Sequence, residues 1–221
     1  MVPVLTIDGP SGSGKGTIGQ YCANQLGWHY LDSGAIYRSL AWVAGEQQVA
    51  TDDVTSLVKL ADALQLRCHV RLEDVAQIEV NGIVVTDKLR TEEVAAIASK
   101  IAPLEPVRAA LLDLQRRART APGLVADGRD MGSTVFPDAS FKVFLTASAQ
   151  VRAQRRYEQL KRKGFDASIA RLLESIQERD ARDAGRAASP LIAADDAVII
   201  DTSELSISQV NDRVLNLVNN R

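Results

Sequence analysis

Cysteine and histidine are scarce in this chain. Cys22 and Cys68 are the only cysteines, and they are too far apart in sequence to form a Cys-x-x-Cys pair. We therefore expect a reducing, cytoplasmic setting in which both thiols pack as small hydrophobic groups, rather than a disulfide. His29 and His69 are the only histidines, and neither has a second ligand at metal-binding spacing. A zinc site is not expected.

A long hydrophobic run and an excess of one charge are also missing. The apolar stretches, such as residues 197–200, are far shorter than the ~20 residues that a membrane-spanning helix needs. The amino terminus has neither a basic lead nor a small-residue cleavage site, so no secretory signal is expected. Because 26 basic residues balance 28 acidic ones, the composition argues against a protein that coats nucleic acid or membranes. No long apolar stripe marks a partner surface, so we expect a monomer.

What the chain does have is a regular alternation of strand and helix patterns. Hydrophobic residues make up 46% of the sequence, which is enough for a sizeable core. Short apolar runs predict core strands at residues 2–7, 28–31, 124–127, 141–146 and 197–201. Helical patterns lie at residues 15–26, 35–44, 92–101, 106–120, 148–163, 168–183 and 206–218. This alternation predicts a three-layer α/β fold, in which helices cover both faces of a parallel β-sheet.

One segment interrupts the alternation. Residues 66–72, 77–80 and 83–86 read as three short strands, and Asn81-Gly82 between the last two is a strong hairpin signal. We interpret this antiparallel patch, at about 66–87, as an insert in the parallel fold.

The turn between the first strand and the first helix is rich in glycine. It matches the G-x-x-x-x-G-K pattern of the P-loop with Gly9, Pro10, Ser11, Gly12, Ser13, Gly14 and Lys15. The glycines let successive backbone N–H groups surround phosphate oxygens, and the positive end of the following helix faces the same place. The lysine ammonium adds a charge for the β- and γ-phosphates. The segment therefore predicts an ATP-binding loop.

The residues after the lysine narrow the class. Gly16 follows Lys15, and Thr17 comes next. This Gly-Lys-Gly-Thr ending is typical of nucleoside monophosphate kinases, whereas the usual P-loop pattern has Ser or Thr directly after the lysine. Gly16 and Thr17 belong to the predicted ATP-binding loop, and Thr17 is the candidate contact for a phosphate or for Mg²⁺. We expect Mg²⁺ to bind with ATP and mostly through water.

Two further polar motifs follow core strands. Open α/β sheets place ligands at the carboxyl ends of their strands, which is where Arg38 and residues 127–130 come. An arginine grips a monophosphate bidentately, which a lysine does less well. A solvated helix position is the alternative for Arg38, and a salt-bridged turn is the alternative for residues 127–130.

Four separated motifs, taken in this order, resemble bacterial cytidylate kinase over nearly the whole chain. They are residues 9–17, 31–38, 126–132 with 135–138, and 178–183. The three-stranded insert fits as well, since that family enlarges its monophosphate-binding domain with such a sheet. The resemblance implies a P-loop kinase core with a monophosphate-binding insert and a helical lid.

The resemblance also implies a set of site residues. The implied catalytic residues are Lys15, Arg129 and Arg186. The implied CMP-binding residues are Ser33, Tyr37, Arg38, Ser99, Arg108, Asp127, Arg129, Asp130, Arg179, Asp183 and Arg186. Within this set Arg38 and Arg129 hold the acceptor phosphate. The cytosine is surrounded by Asp130, Arg108 and Ser99. Arg179 and Asp183 lie near the ribose, and Arg186 lies near the phosphates.

The chemistry of cytosine supports the role of Asp130. A carboxylate accepts hydrogen bonds from the exocyclic amine of cytosine, whereas the uracil carbonyl would face it lone pair to lone pair. An unpaired buried acceptor costs roughly 1–3 kcal/mol, so Asp130 should favour CMP over UMP. If Asp183 contacts the ribose hydroxyls, we expect dCMP as a second substrate.

Residues 151–183 are locally basic. Ten basic and six acidic residues lie between positions 152 and 186, and the arginines of interest are Arg152, Arg155, Arg156, Arg179, Arg182 and Arg186. We interpret two helices joined near Gly164 as a lid that closes over the triphosphate, brings positive charge to the phosphoryl group and excludes water. A solvated helix face with i,i+4 ion pairs is the alternative.

These interpretations divide the chain into a P-loop core segment (1–31), a monophosphate-binding domain (32–102), a second core segment (103–150), a helical lid (151–183) and a closing core segment (184–221). The predicted reaction transfers the γ-phosphoryl group of ATP to CMP or dCMP, giving CDP or dCDP and ADP. One alternative is a P-loop kinase for UMP, AMP, dTMP or a non-nucleotide acceptor. Another is a P-loop ATPase that regulates or remodels nucleic acid, although no apolar strand ends in an Asp-Glu pair.

Overall fold

A computed structural model describes residues 1–71, 74–162, 164–185 and 190–220. The chain forms two compact units. The core unit contains residues 1–29 together with the chain from residue 119 onward, and the inserted unit contains residues 30–118. The segment 32–102, which we expect to bind the monophosphate, lies wholly within the inserted unit.

In chain order the elements are β1 (Val4–Asp8), α1 (Lys15–Leu26), β2 (His29–Asp32), α2 (Ser33–Glu46), α3 (Val54–Asp62), β3 (Leu66–Arg71), β4 (Asp74–Val80), β5 (Ile83–Val84), α4 (Glu92–Ile101), α5 (Glu105–Arg116), β6 (Leu124–Gly128), β7 (Phe141–Thr146), α6 (Ala149–Arg162), α7 (Ile169–Ala184), β8 (Val198–Asp201) and α8 (Ile207–Asn219). A short 3-10 helix (Lys88–Arg90) precedes α4, and a π-helical turn (Met131–Val135) follows β6.

The larger sheet has five strands in the order β2-β6-β1-β7-β8, and β1, β6, β7 and β8 belong to the core unit. The pairings of β1 with β6 and β7, and of β7 with β8, are parallel. Every residue of β1 and β6 is buried, as expected for central strands that are covered on both sides. The predicted fold class, a parallel sheet flanked by helices with a small antiparallel sheet, is confirmed.

Local sequence signals account for several helix boundaries. α8 begins with a capping box, in which the Ser206 side chain and the Gln209 side chain each accept from the other residue's backbone N–H. α4 begins where the Thr91 hydroxyl accepts from the backbone of Val94. α1 ends at Gly27, whose φ of 65° is the left-handed conformation that terminates many helices.

The inserted unit contains the second sheet, in which β3, β4 and β5 form antiparallel pairs. The predicted hairpin is confirmed, since Asn81 and Gly82 both have positive φ between β4 and β5. The last strand is shorter than predicted because the hydroxyl of Thr86 turns back to accept from Ile78 N at 2.9 Å. Leu72, the end of the first predicted strand, lies outside the described residues.

Two predictions about helices need correction. We did not predict α3, which forms because Asp53 caps its first turn by accepting from Ser56 N at 3.0 Å. The helix predicted at 106–120 ends at Arg116, ahead of the Ala121-Pro122-Gly123 turn. Lys163, predicted to end a helix, lies outside the described residues.

Other expectations concern membranes, metals and thiols. No helix within the described ranges is long and apolar enough to cross a bilayer. Nowhere in the part of the chain that the structure describes do three His, Cys, Asp or Glu side chains gather as a metal site requires. Cys22 is fully buried, and burial raises the pKa of its thiol to about 12, so it packs as a small hydrophobic group.

Candidate active site

The glycine-rich turn after β1 adopts a conformation that side chains would disrupt. Gly9 has φ +146°, and a Cβ added there would lie 2.0 Å from the carbonyl oxygen of Leu145. Gly12 has φ +80°, and its added Cβ would lie 3.2 Å from Cβ of Arg152. Because L-residues rarely adopt positive φ, both positions require glycine. The turn can therefore pack closely against β7 and α6.

Three carbonyl groups of this turn accept hydrogen bonds from surrounding side chains. The carbonyl of Pro10 accepts from Ser13 Oγ at 3.0 Å. The carbonyl of Ser11 accepts from Arg152 Nη1 at 3.1 Å. The carbonyl of Ser13 accepts from Thr202 Oγ1 at 3.4 Å. A turn whose carbonyls are anchored in this way can direct its N–H groups toward an anion.

Helix α1 begins without a side-chain cap in the described part of the chain. Gly14 occupies its N-cap position with φ +96° and offers no acceptor. Four other helices are capped by a side chain, namely by Asp32, Asp53, Thr91 and Ser206. Because the first N–H groups of a helix have no intrahelical acceptor, residues 15–17 are suited to bind an external anion such as phosphate.

Lys15 is buried within a cluster of charged groups. Its Nζ donates to the carbonyl oxygen of Pro10 at 2.8 Å. Burial holds the pKa of Lys15 well below its usual range, and the guanidinium groups of Arg129 and Arg179 lower it further, against the opposing effect of Asp127. A buried cation surrounded by other cations is strongly stabilised by an anion, so this cluster is suited to a polyphosphate.

Asp8 connects the end of β1 to the loop that follows β6. Its two carboxylate oxygens accept from Met131 N and Gly132 N, each at 2.8 Å. A Cβ at Gly132 would lie 2.8 Å from Thr6 Oγ1, so only glycine allows this approach. Burial raises the pKa of Asp8 to about 7, although both backbone hydrogen bonds oppose that shift. This carboxylate therefore fixes the π-helical turn beside the start of the P-loop.

The loop after β6 carries charged side chains that are held in place. Arg129 Nε donates to Asp183 Oδ2 at 2.8 Å, and the Asp183 side chain is fully buried. Asp127 and Asp130 are also buried, with 6% and 4% of their surface exposed. Asp183 of α7 therefore fixes the position of Arg129, which follows β6.

In the inserted unit, Asp32 and Arg38 form a local ion pair at the start of α2. Asp32 Oδ1 accepts from Ala35 N at 2.8 Å as the helix cap. The other oxygen of Asp32 accepts from Arg38 Nη2 at 2.7 Å. A Cβ at Gly34 would lie 2.8 Å from Arg38 Nη1, so glycine makes room for the guanidinium. Since 26% of the Arg38 side chain is exposed, it can exchange this partner for a ligand.

Two of the buried serines of the inserted unit are predicted site residues, and they differ in their hydrogen bonds. Ser33 Oγ donates to Gln115 Oε1 at 2.9 Å. Ser99 has 6% of its surface exposed, and its Oγ has no hydrogen-bond partner among the described residues. Buried hydroxyls are nearly always paired, so Ser99 is the better candidate for a ligand contact.

Arg108 of α5 lies beside an aromatic ring. Its guanidinium is 5.8 Å from the ring centre of Tyr37, which is a cation–π distance. Its Nη1 also donates to the carbonyl oxygen of Ala102 at 3.1 Å. These contacts hold the Arg108 side chain against Tyr37 and the end of α4.

Comparison with known proteins decides the family. The sequence model of the cytidylate kinase family matches residues 5–220. A cytidylate kinase from Colwellia psychrerythraea is 49% identical over 219 residues, which are 99% of this chain and 97% of the relative. One from Methylococcus capsulatus is 54% identical over 217 residues, or 98% of this chain and 97% of the relative. The chain belongs to the cytidylate kinase family.

Membership of this family confirms the predicted resemblance and the predicted class of enzyme, a nucleoside monophosphate kinase. A solved structure of an uncharacterized protein from Eubacterium ventriosum has a similar fold. It matches with a TM-score of 0.53 at 12% identity, over the full length of both chains.

The predicted site residues of this family member fall into separate groups. The core unit brings Lys15 into electrostatic contact with Asp127, Arg129 and Arg179. It also contains the rest of the P-loop, Asp130 and Asp183. The inserted unit contains Ser33, Tyr37, Arg38, Ser99 and Arg108. Thr17 is exposed in the first turn of α1. Arg186 lies outside the described residues.

Two arginines that we assigned to the mobile lid do not fit that role. Arg152 has only 4% of its surface exposed. Arg155 donates through Nη1 and Nη2 to the hydroxyl and the carbonyl of Thr202. Both lie at the start of α6, where the helix packs on the core unit, and the count of basic residues did not distinguish them from exposed positions.

The sequence analysis also missed the two hydrogen bonds through which Asp8 fixes the π-helical turn. The sequence did contain one indication of this role, which is an acidic residue at the end of a mostly apolar, buried strand, directly before Gly9. Such a buried carboxylate must be paired, but its partners, Met131 and Gly132, are far along the chain and carry no distinctive side chains.

Proposed function

We propose that the protein transfers the γ-phosphoryl group of ATP to CMP and to dCMP, giving ADP and CDP or dCDP. The observation that carries the donor half is the uncapped first turn of α1 beside the buried ammonium of Lys15. Residues 9–17 bind the triphosphate through backbone N–H groups. Lys15 exchanges the carbonyl oxygen of Pro10 for β- and γ-phosphate oxygens.

Mg²⁺ bound together with ATP fits the residues of this loop. The ion usually keeps several waters and takes most other ligands from phosphates, so it needs few protein side chains. Within the described residues there is no three-ligand cluster that would hold a metal by itself. The exposed hydroxyl of Thr17 would hold the ion, mostly through water. When bound, the ion neutralises charge on the phosphates.

For the acceptor we propose that Arg38 and Arg129 bind the phosphate of CMP. Each guanidinium is paired with a carboxylate of the protein, Arg38 with Asp32 and Arg129 with Asp183. A phosphate near neutral pH carries more negative charge and more acceptor oxygens than one carboxylate. It can therefore replace or share these partners, and bidentate contacts from arginine orient it.

The base and the ribose are assigned to separate residues. Asp130 accepts from the exocyclic amine of cytosine, Ser99 offers its unpaired buried hydroxyl, and Arg108 completes the base site. Ser33, Tyr37 and Asp127 belong to the same acceptor site. Arg179 and Asp183 contact the ribose, and Arg186 contacts the phosphates. We further propose residues 32–102 as the monophosphate-binding domain and core segments at 1–31, 103–150 and 184–221. Residues 151–183 are proposed as the lid, in which Arg152 and Arg155 anchor its first helix to the core and do not contact the phosphates.

The reaction needs no dedicated general base. The second pKa of a phosphate monoester is near 6, so the acceptor oxygen is largely ionised at neutral pH. An oxygen of the CMP phosphate attacks the γ-phosphorus while the bond to the β-phosphate oxygen breaks, which leaves ADP. The side chains align the two phosphates and offset charge on the transferred group, with Lys15 and Arg129 closest to it.

A substrate panel tests this proposal. CMP, dCMP, UMP and AMP are each assayed with ATP-Mg²⁺, with ADP release as the readout. We expect CMP to give the highest kcat/KM, dCMP to be used, and UMP to be used less well. A preference for AMP or UMP over CMP would contradict the assignment of the base site.

A further inference from the structure

Arg152, in the first turn of α6, donates hydrogen bonds from all three nitrogens of its guanidinium group. Nε donates to the carbonyl oxygen of Ala147 at 2.9 Å, and Nη1 donates to that of Ser11 at 3.1 Å. Nη1 and Nη2 also donate to the two carboxylate oxygens of Asp180, at 3.0 and 2.5 Å. The side chain is 5% exposed. Such a planar fork of donors is available only to arginine.

This arrangement places Arg152 behind the P-loop rather than in a lid. The carbonyl of Ser11 accepts from Arg152, and Gly12 lies so near this side chain that an added Cβ would be 3.2 Å from Cβ of Arg152. Anchoring an outward carbonyl fixes the peptide plane, and the N–H of the same plane then points the other way. Arg152 therefore helps to set the direction of a P-loop amide.

Asp180 supplies the carboxylate that orients Arg152, and it does so from α7. Asp183 lies three residues further along the same helix, so both carboxylates share one face. Asp183 holds Arg129 in the same way. One face of α7 therefore carries Asp180, the partner of Arg152, and Asp183, the partner of Arg129.

We propose that Asp180 is a positioning residue for phosphoryl transfer. It orients Arg152, which holds the P-loop in the shape that binds the triphosphate, and so it makes that shape dependent on the position of α7. Asp180 itself touches neither nucleotide. The inference rests on the proposed role of residues 9–17 in binding ATP.

An ion pair that only stabilises the fold would give a different result. Loss of such a pair lowers the melting temperature without changing the ratio of the affinities for the two nucleotides. A positioning role instead affects the donor selectively. The informative readouts are the KM for ATP, the Kd of CMP measured without ATP, and the melting temperature.

The central variant is Asp180→Asn, which keeps the shape of the side chain and removes its charge. We expect the KM for ATP to rise by at least about tenfold, since hydrogen bonds to a charged group are worth roughly 1.5–3 kcal/mol. The Kd of CMP should change by less than about twofold, which is the ordinary scatter for a surface or remote change. Asp212→Asn is the matched control, because it removes the same charge from an exposed position on α8, outside the lid.

Arg152→Lys tests the other partner, with Arg213→Lys at an exposed position of α8, outside the lid, as its control. We expect Arg152→Lys to raise the KM for ATP as Asp180→Asn does, and the double variant to be no worse than either single one. Asp180→Glu retains the charge, and it should restore part of the affinity for ATP. This variant also serves if Asp180→Asn folds poorly.

Three results would overturn the inference. The first is a lower melting temperature with an unchanged KM for ATP in Asp180→Asn and Asp180→Glu. The second is an equal loss of ATP and CMP affinity. The third is additive effects of the two single changes. Lys15→Ala separates this failure from a failure of the proposed function: normal ATP binding there refutes the P-loop assignment itself, whereas lost binding there with normal Asp180 variants refutes only the role of Asp180.

Discussion

The groups proposed for the two nucleotides are built in different ways. The donor loop is made of backbone, with glycines at positive φ and carbonyls anchored by Arg152 and Thr202. The groups proposed for the acceptor phosphate are side chains, and Arg38 and Arg129 each form an ion pair with a carboxylate of the protein. The donor loop is therefore formed before ATP arrives, whereas the acceptor arginines must exchange or share partners.

This contrast has an energetic consequence. A preorganised backbone loop needs little rearrangement when it binds an anion, so most of the interaction energy remains available for binding. An arginine that leaves a carboxylate loses one charged hydrogen bond before it gains another. We therefore expect changes in the donor loop to impair phosphoryl transfer as a whole, and changes in the acceptor arginines to impair the use of CMP alone.

The largest effect is expected for Lys15→Ala. Removal of the buried ammonium should lower kcat by roughly 100- to 1000-fold or more, the range measured when one preorganised group that stabilises transition-state charge is lost. The circular dichroism spectrum should stay unchanged. Lys59→Ala, at an exposed position of α3, is the control and should leave kcat unchanged. Near-normal turnover of Lys15→Ala would refute the donor assignment.

A smaller and more selective effect is expected for Arg38→Ala. Loss of a bidentate contact should lower kcat/KM for CMP by about 100-fold, because two charged hydrogen bonds are removed. The affinity for ATP in the absence of CMP should stay the same. Arg90→Ala removes an exposed arginine of the inserted unit and serves as the control. If Arg38→Ala weakened the binding of ATP as strongly as that of CMP, the division into two kinds of site would be wrong.

Asp130→Asn should change selectivity more than rate. An amide can present its NH₂ group to the carbonyl of uracil, so the preference for CMP over UMP should narrow by about tenfold. Steady-state kinetics with each acceptor at saturating ATP give this ratio. An unchanged ratio would remove Asp130 from base recognition.

The smallest effect concerns the pH dependence of stability. Burial raises the pKa of Asp8 to about 7, so between pH 4 and 7 the folded protein binds more protons here than the unfolded chain does. The contribution of Asp8 to the free energy of unfolding must then fall as the pH rises through this window. Asp8→Asn removes this dependence.

Urea unfolding of wild type and Asp8→Asn at several pH values measures that difference. The free energy of unfolding of wild type minus that of the variant should decrease by on the order of 3 kcal/mol between pH 4 and pH 7. The window ends there because above about pH 7 Asp8 is ionised in both the folded and the unfolded protein. If the free energies of unfolding of wild type and Asp8→Asn changed with pH in parallel, Asp8 would be ionised over the whole range from pH 4 to pH 7.

A feature could be predicted from the sequence when the residues that form it are neighbours along the chain. The P-loop is contiguous, so its glycines and Lys15 announce both the turn and the ligand. The Asn81-Gly82 hairpin is local in the same way. In contrast, Arg152 contacts Ser11 across 141 residues of sequence and Asp180 across 28. A count of charges cannot reveal such a pairing, which is why Arg152 was assigned to the lid.

The same limit applies to the acceptor groups. The motif around Arg38 predicts a phosphate contact, but the salt bridge with Asp32 depends on the side-chain path that Gly34 allows. Asp8 and Met131 are 123 residues apart, and only the fold brings that backbone N–H to the carboxylate. The short helix α3 was missed because its sequence gives one weak capping signal, at Asp53.

The most direct test of two differently built sites is a cross titration. ATP and CMP are each titrated calorimetrically, one at a time, into Lys15→Ala and into Arg38→Ala. We predict that Lys15→Ala loses affinity for ATP and keeps its affinity for CMP, while Arg38→Ala shows the reverse. A loss of both nucleotides in either folded variant would contradict the account.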